Sequence, residues 1–443
     1  MKEGMGEGDR RQAGAWRLAS CAVLAAALAA CGGGGGDGLS SSLDATANPQ
    51  GANVSAGSAP LAAQLQPGDF TLNSTTAGDQ GRAAAVALPG GGFVAVWSTN
   101  VAGTSDVRMQ RFGANGRPLG DEVVVASLGN SAGVTALADG GFLVSWSASP
   151  FQYEASGFGR RFDASGAPLG GAVQLAATFF KYVARPIGLA DGGFALAVDT
   201  SAGRYGAEFG QVARYAIDGT AIGTPVRLDS QLTPQTGAID PNWAGSTAPA
   251  RWADGRFAVA WIASGTGVAE VRLSRFDAEA NLVGTEVVAR DTQLQQPAVA
   301  VLAGGQLALS WVSGSTDGPK TLWLEVFGPD GASLGRQAVA GGLPASGVTP
   351  RVAALGDGGL ALGWRTDRYD GATLHRTVNA QRFGAGGRST GPAEQVVASS
   401  MPAEANLYAM DTLDLIGGAG ASFMLLHGAW SAETGWDVRA SAR

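Results

Sequence analysis

The chain of 443 residues carries 37 acidic against 30 basic side chains, a formal net charge of −7, which excludes a protein living on nucleic-acid phosphates, where basic stripes are the rule. Its 69 glycines are about twice ordinary usage, and charged residues make up only 15%, so turns are plentiful and surface charge is modest. That length allows two or three average domains, but related segments recur along it, and stacked repeats share one continuous core, so one large repeat domain is expected.

The first thirty residues stand apart. Lys2, Arg10, Arg11 and Arg17 make a basic stretch diluted by acids, and Leu18 to Ala30 form an apolar run of secretory length, too short to cross a bilayer as a helix. The run ends Leu28-Ala29-Ala30-Cys31, followed by glycines from Gly32 to Gly36. This resembles the lipobox and tether of bacterial lipoproteins. The resemblance implies a signal peptide over residues 1–30, cleavage before Cys31, lipidation of that thiol and durable anchorage through several acyl chains. Leu18-Ala19-Ser20-Cys21 also fits the box, but cleavage there leaves no apolar stretch ahead of it. A signal peptide with a chance cysteine stays open as the alternative. Gly32, in place of an aspartate, resembles the sorting pattern of outer-membrane lipoproteins, so the implied address is the bacterial outer membrane, on either side of it. Cys21 and Cys31 are the only cysteines, which leaves the body without a disulfide, a thiol nucleophile or a cysteine metal site. Residues 31–67 lack apolar periodicity and have the composition of a flexible tether.

From residue 68 onward one segment is written repeatedly. Gly91-Gly92-Phe93-Val94-Ala95-Val96-Trp97 returns as Gly140 to Trp146, then in looser copies ending at Trp261, Trp311 and Trp364, with degenerate copies at Phe194 to Val198 and Phe423 to His427. Aligned on Phe93, Phe142, Phe194, Phe257, Leu307, Leu360 and Phe423, the spacings are 49, 52, 63, 50, 53 and 63 residues. A period near 50 built only of strand-like segments predicts a propeller blade of four antiparallel strands. In each copy a short apolar strand a leads through a tight turn, such as Ala138-Asp139-Gly140-Gly141, into strand b, the Phe-to-Trp segment. Strand b is apolar on both faces, as a strand between two neighbouring sheets should be. Strand c, for example Val107 to Phe112, ends in a repeated Arg-aromatic pair, and a second fixed turn, Asp163 to Gly170, leads into strand d.

The seventh copy stops at Arg443 without a strand d, while Gly68 to Ser74, ahead of the first strand a, matches Gly120 to Ser127. The expected fold is therefore all-β, a seven-bladed β-propeller over residues 68–443 whose last blade is completed by the N-terminal strand. The Phe-apolar-Trp segment with its following Gln-Arg-Phe-Asp-type turn resembles tandem propeller-type repeats of bacterial secreted and surface proteins, a resemblance tied to no single chemistry.

In such a blade the a–b and c–d turns share one face, here constant in length, and the b–c and d–a connections share the other, here variable. Long loops are expected over Ser147 to Phe158, Asp199 to Gly210, Asp229 to Pro249, Arg365 to Thr377 and Ser399 to Leu407, and any binding site is expected on that variable rim. Four arginines, Arg82, Arg185, Arg251 and Arg351, sit in or just before strand a, where alanine, glycine and valine dominate; all but Arg251 lie near the variable end. Guanidinium groups around a channel mouth suit a carboxylate or sulfate, as on an acidic glycan, and pairing with nearby carboxylates is the bland alternative. Trp243 and Tyr369 are among the rim aromatics able to stack on sugar or peptide, or simply to anchor loops. His375 and His427 are the only histidines; the first falls in an expected loop, the second takes a tryptophan slot. With no metal motif and no nucleophile elbow, no catalytic residue, metal ligand or cofactor is assigned. The leading expectation is a monomeric, non-enzymatic, lipid-anchored module that binds a glycan or an envelope protein. A hydrolase or lyase using rim carboxylates such as Glu154, Asp199, Glu208, Asp240 and Asp317 is the alternative.

Overall fold

A computed structural model describes residues 67–101, 104–151, 154–176, 180–201, 208–228, 247–265, 268–315, 317–345, 347–406 and 412–443. Their strands form seven four-stranded antiparallel sheets, each in the order a-b-c-d. In blade 1 these are Asp79–Ala87, Phe93–Val101, Thr104–Phe112 and Val123–Ser127. Strand a of each blade lies beside strand a of the next, and blade 7 returns to blade 1, so the sheets close into a seven-bladed propeller around an axis lined by the a strands.

The ring is sealed as expected. Gly68–Thr71 is the outer strand of blade 7, pairing with Gly435–Ala442 in the register Gly68 to Ala442 and Thr71 to Arg439. Side chains then lock it. Asn73, buried, accepts from the Val438 amide at 2.8 Å and donates to Asp437 at 2.8 Å and to the Thr75 carbonyl at 2.9 Å. Glu122 of blade 1 receives the amides of Ser74 and Thr75 at 2.8 and 3.1 Å and is itself held by Arg108 at 2.8 Å. These contacts pair the Ser74, Thr75 and Val438 amides, as backbone crossing between blades requires.

The core is not one cluster but an apolar layer between each pair of neighbouring blades. Phe93, Ala95 and Trp97 pack on Met424, Leu426 and Val438 of blade 7, whereas Val94 and Val96 turn the other way, onto Phe142, Val144 and Trp146 of blade 2. The same alternation puts Trp261 on blade 3, Trp311 on blade 4 and Trp364 on blade 5. All five tryptophans are buried, and their role is inter-blade packing. Within a blade, the strand-b phenylalanine stacks on the aromatic that ends strand c, at centroid distances of 4.7 Å for Phe93 with Phe112, 5.2 Å for Phe142 with Phe162 and 4.7 Å for Phe257 with Phe276.

The repeated arginine before that aromatic works across blades. Arg111 donates to the Ser165 carbonyl in the c–d turn of blade 2, Arg214 of blade 3 to the Glu279 carbonyl of blade 4 at 3.0 Å, and Arg382 of blade 6 to the Ala421 carbonyl of blade 7 at 2.9 Å. The a–b turn explains its paired glycines: Gly140 has φ of 85°, and a Cβ on Gly141 would sit 2.4 Å from the Phe162 carbonyl oxygen. These devices hold one face of the wheel to a constant form.

Candidate functional site

The opposite face is built differently in every blade. Two of its expected loops are strands: Leu360–Asp370 and Thr373–Phe383 of blade 6 stay paired to Asp370 with Thr373, leaving only Gly371 and Ala372 as a turn. Likewise Phe142–Phe151 and Glu154–Phe162 of blade 2 pair out to Phe151 with Glu154. The rim therefore varies by how far each b–c hairpin projects. His375 follows suit: it is a half-buried strand residue whose Nδ1 lies 2.8 Å from the Ser400 hydroxyl, not an exposed loop side chain. In the d–a connections, Ser399–Pro402 continues strand d of blade 6, and residues 229–246 and 407–411 lie outside the described residues.

Strand a carries a bulge in several blades. In blades 1, 2 and 5 two residues of strand a oppose the strand-b tryptophan: Arg82 and Ala83 opposite Trp97, Ser131 and Ala132 opposite Trp146, Gln296 and Pro297 opposite Trp311. The first residue of each pair has positive φ, at 52° for Arg82, 53° for Ser131 and 52° for Gln296. A side chain in that region costs on the order of 1–2 kcal/mol, and bulges of this kind re-aim side chains. Polar residues amid alanine and valine were the only signal in the sequence.

Arg82 is half-buried and donates to the Ser131 hydroxyl of blade 2 at 3.2 Å. Among the described residues it forms no ion pair. Arg351 stands near the same end of strand a in blade 6, paired with Gly363, and donates to the Pro350 carbonyl at 2.8 Å. Arg251 lies at the other end: it pairs with Phe257 beside the a–b turn and, buried, donates to the Gly188 carbonyl of blade 3 at 2.7 Å. It ties two blades together and does not join the mouth. Tyr369 is exposed near the tip of the blade 6 hairpin, opposite Leu374. Arg185 falls in a strand-a bulge of blade 3 between Val183 and Pro186. Its side chain, Trp243 and Cys31 lie outside the described residues.

Two rim carboxylates, Asp367 and Glu270, are held by arginines. Asp367 takes a two-pronged bond from Arg376, at 2.8 and 2.9 Å, with Arg365 at 3.4 Å, all three buried, and the Arg376 guanidinium lies 5.0 Å from the Trp436 ring centre. Glu270 accepts from Arg272 at 2.7 Å and Arg290 at 2.8 Å. Burial pushes the Glu270 carboxyl up, but the bonds from Arg290 and Arg272 outweigh it and hold the group below the usual carboxylate range. A general acid needs the opposite shift. Lys320, fully buried, donates to the carbonyls of Gly314 and Ser315 and organises that turn, with burial depressing its pKa. Among the described residues no group of three or more histidine, cysteine or acidic side chains is placed to hold a metal. The side chains of Glu154, Asp199, Glu208 and Asp240 lie outside the described residues, and Asp317 is exposed.

No family model matches the chain, and no curated protein matches it. Solved structures with a similar course include a Dyadobacter fermentans protein of unknown function, 10% identical with a TM-score of 0.45, covering 75% of this chain and 98% of that one. An ulvan lyase from a new family of polysaccharide lyase is 10% identical with a TM-score of 0.44 over 88% of this chain and 94% of its own. The β-propeller domain of the trilobed protease from Pyrococcus furiosus, 8% identical, gives 0.40 over 88% and 95%. Likeness at this level assigns no chemistry to the chain.

Proposed function

We propose that this propeller is a non-enzymatic binding module, tethered to the bacterial outer membrane through lipid on Cys31, which takes an anionic group at the axial mouth of its variable rim. The observation that carries this reading is Arg82: a half-buried arginine held in a positive-φ bulge beside the Ser131 hydroxyl, with no carboxylate partner among the described residues. A guanidinium with spare donors next to a hydroxyl suits a carboxylate or sulfate oxygen, as on an acidic glycan. Arg351, opposite Gly363 in strand a of blade 6, and Arg185 and Gln296, in strand-a bulges of blades 3 and 5, support the reading. The rim aromatics Tyr369 and Trp243 supply stacking surface for sugar rings in this reading. The arginine-neutralised carboxylates Asp367 and Glu270 favour binding over bond cleavage.

The test is binding to an array of sulfated and uronic-acid glycans, with Arg82→Ala and Arg351→Ala. A charged hydrogen bond contributes about 1.5–3 kcal/mol, so each replacement should weaken binding about tenfold or more. Unchanged binding by both variants overturns the reading. Release of reducing or unsaturated sugar ends from the same panel, abolished by one rim carboxylate replacement, would establish the enzymatic alternative in its place.

A further inference from the structure

The constant face carries apolar side chains that the binding rim does not use. The residue three places after the c–d turn glycine, or after Ala280 in blade 4, is aliphatic in blades 1 to 5: Leu119, Leu169, Ile222, Val283 and Leu334. All but Leu169 are exposed, from 41% at Ile222 to 71% at Val283. Repeat geometry sets the four c–d turn residues at one level, on the outer margin of one face. Scattered exposed aliphatics need no explanation, but a coplanar set exposed in four of five consecutive blades does.

What covers this arc is indicated by where the chain enters. Gly68 begins the outer strand of blade 7, and that strand starts at the constant face, so the segment leading back to Cys31 leaves from the same margin. From Gly32 to Pro67 there are 36 residues. An anchor at Cys31, joined to this margin by so short a stretch of chain, would hold it near the bilayer at about millimolar effective concentration, where weak contacts are occupied. Charge narrows the lipid. The c–d turns of blades 1 to 5 carry five carboxylates, Asp163, Asp218, Asp277, Glu279 and Asp330, against one basic residue, Arg117 of blade 1.

We infer that the constant-face margin rests on a zwitterionic phospholipid surface, its arc of aliphatics entering the headgroup layer and its turn carboxylates facing the ammonium groups of ethanolamine lipids. The binding rim then points away from the bilayer. The inference rests on the lipid anchor proposed above.

The test uses the full-length lipidated chain bearing Val283→Cys or, on the other face, Tyr369→Cys, labelled with a polarity-sensitive fluorophore on vesicles of phosphatidylethanolamine and phosphatidylcholine doped with a spin-labelled quencher. Quenching at position 283 should exceed that at 369 at least threefold. It should fall to the level of 369 when Ile222→Asp and Leu334→Asp are added, and weaken when a third of the lipid is phosphatidylglycerol. Equal quenching at both positions, or stronger quenching at 369, overturns the inference. So does cross-linking between Val283→Cys chains in lipid-free solution at micromolar concentration, which would assign the arc to a second copy. The mass of the N-terminal peptide reports acylation of Cys31 separately. If Cys31 is bare, the anchor fails alone, and the same contrast between 283 and 369 at about 10 mM lipid, the effective concentration a tether provides, decides the margin.

Discussion

The two faces of this wheel are held by different means. On the constant face one set of contacts is used again and again: an arginine ending strand c bonds the next blade's turn, as Arg111 does to Ser165 and Arg214 to Glu279. On the variable rim blades 4, 5 and 6 each have their own device: a buried Arg376–Asp367 pair in blade 6, a Glu270 shared by two arginines in blade 4, a buried Lys320 in blade 5. Repetition buys uniform stacking, whereas single-use polar clusters fix projecting hairpins at heights that differ from blade to blade. The lesson is that stability here should be distributed and periodic below, local and chemically specific above.

The strongest challenge to that contrast is to remove one unit of the periodic layer. Trp261→Ala empties a fully buried site between blades 3 and 4. The expected loss is about 3–5 kcal/mol in urea unfolding. A loss under about 1 kcal/mol would mean that the layers are loosely packed and the division between the faces is misplaced.

On the rim, Arg376→Met removes the two-pronged partner of the buried Asp367 and should cost about 3 kcal/mol. Replacing Asp367 and Arg365 by leucine as well should restore most of that, since an apolar cluster leaves no buried charge to desolvate. If the triple variant is as unstable as the single one, the cluster is not a local device and the rim is coupled to the layers beneath it.

His427 shows where the periodic plan lapses. It takes the tryptophan slot of blade 7, buried, with Nε2 3.1 Å from the Ser441 hydroxyl, and burial pushes its pKa down to about 4. An unfolded histidine titrates near 6.5, so between about pH 6.5 and 4 the unfolded chain binds the extra proton and the folded chain does not. Stability is then full above pH 6.5 and falls as the pH drops through that window, by roughly 3 kcal/mol at about 1.4 kcal/mol per unit. His427→Gln should flatten this part of the pH profile. A profile unchanged by the replacement would place the acid sensitivity elsewhere.

The periodic half of the molecule was legible in the sequence, and the local half was not, for a physical reason. Repeats average out context: seven strand-b segments with two apolar faces admit one packing, and Gly68 to Ser74 betrayed itself as a missing strand d by matching Gly120 to Ser127. A device used once has no second copy to compare. Asp367 to Asp370 has turn composition, yet cross-strand pairing with Thr373 to Arg376 overrides it. Nor does an arginine in a polar stretch disclose that it is buried; Arg376 became a core residue through a carboxylate and a tryptophan brought from other strands. The bulges were hidden for the same reason, because their register depends on a partner strand.

The smallest expected effect separates the two halves most cleanly. Arg82, at φ of 52°, holds a conformation that glycine adopts without penalty and an arginine does not. Were the residue there for the fold, replacing it would destabilise. If it is there for a ligand, Arg82→Gly should raise stability by about 0.5–1 kcal/mol, the relief of backbone strain offset by the extra freedom of an unfolded glycine, while binding to the anionic glycan is lost. Arg82→Ala keeps the Cβ and its strain, so it should lose binding without the gain in stability. A melting temperature that rises only with glycine, beside binding that falls with both, would locate the strain in function; a glycine variant less stable than the alanine one would show that the guanidinium bond to Ser131 is part of the wheel after all.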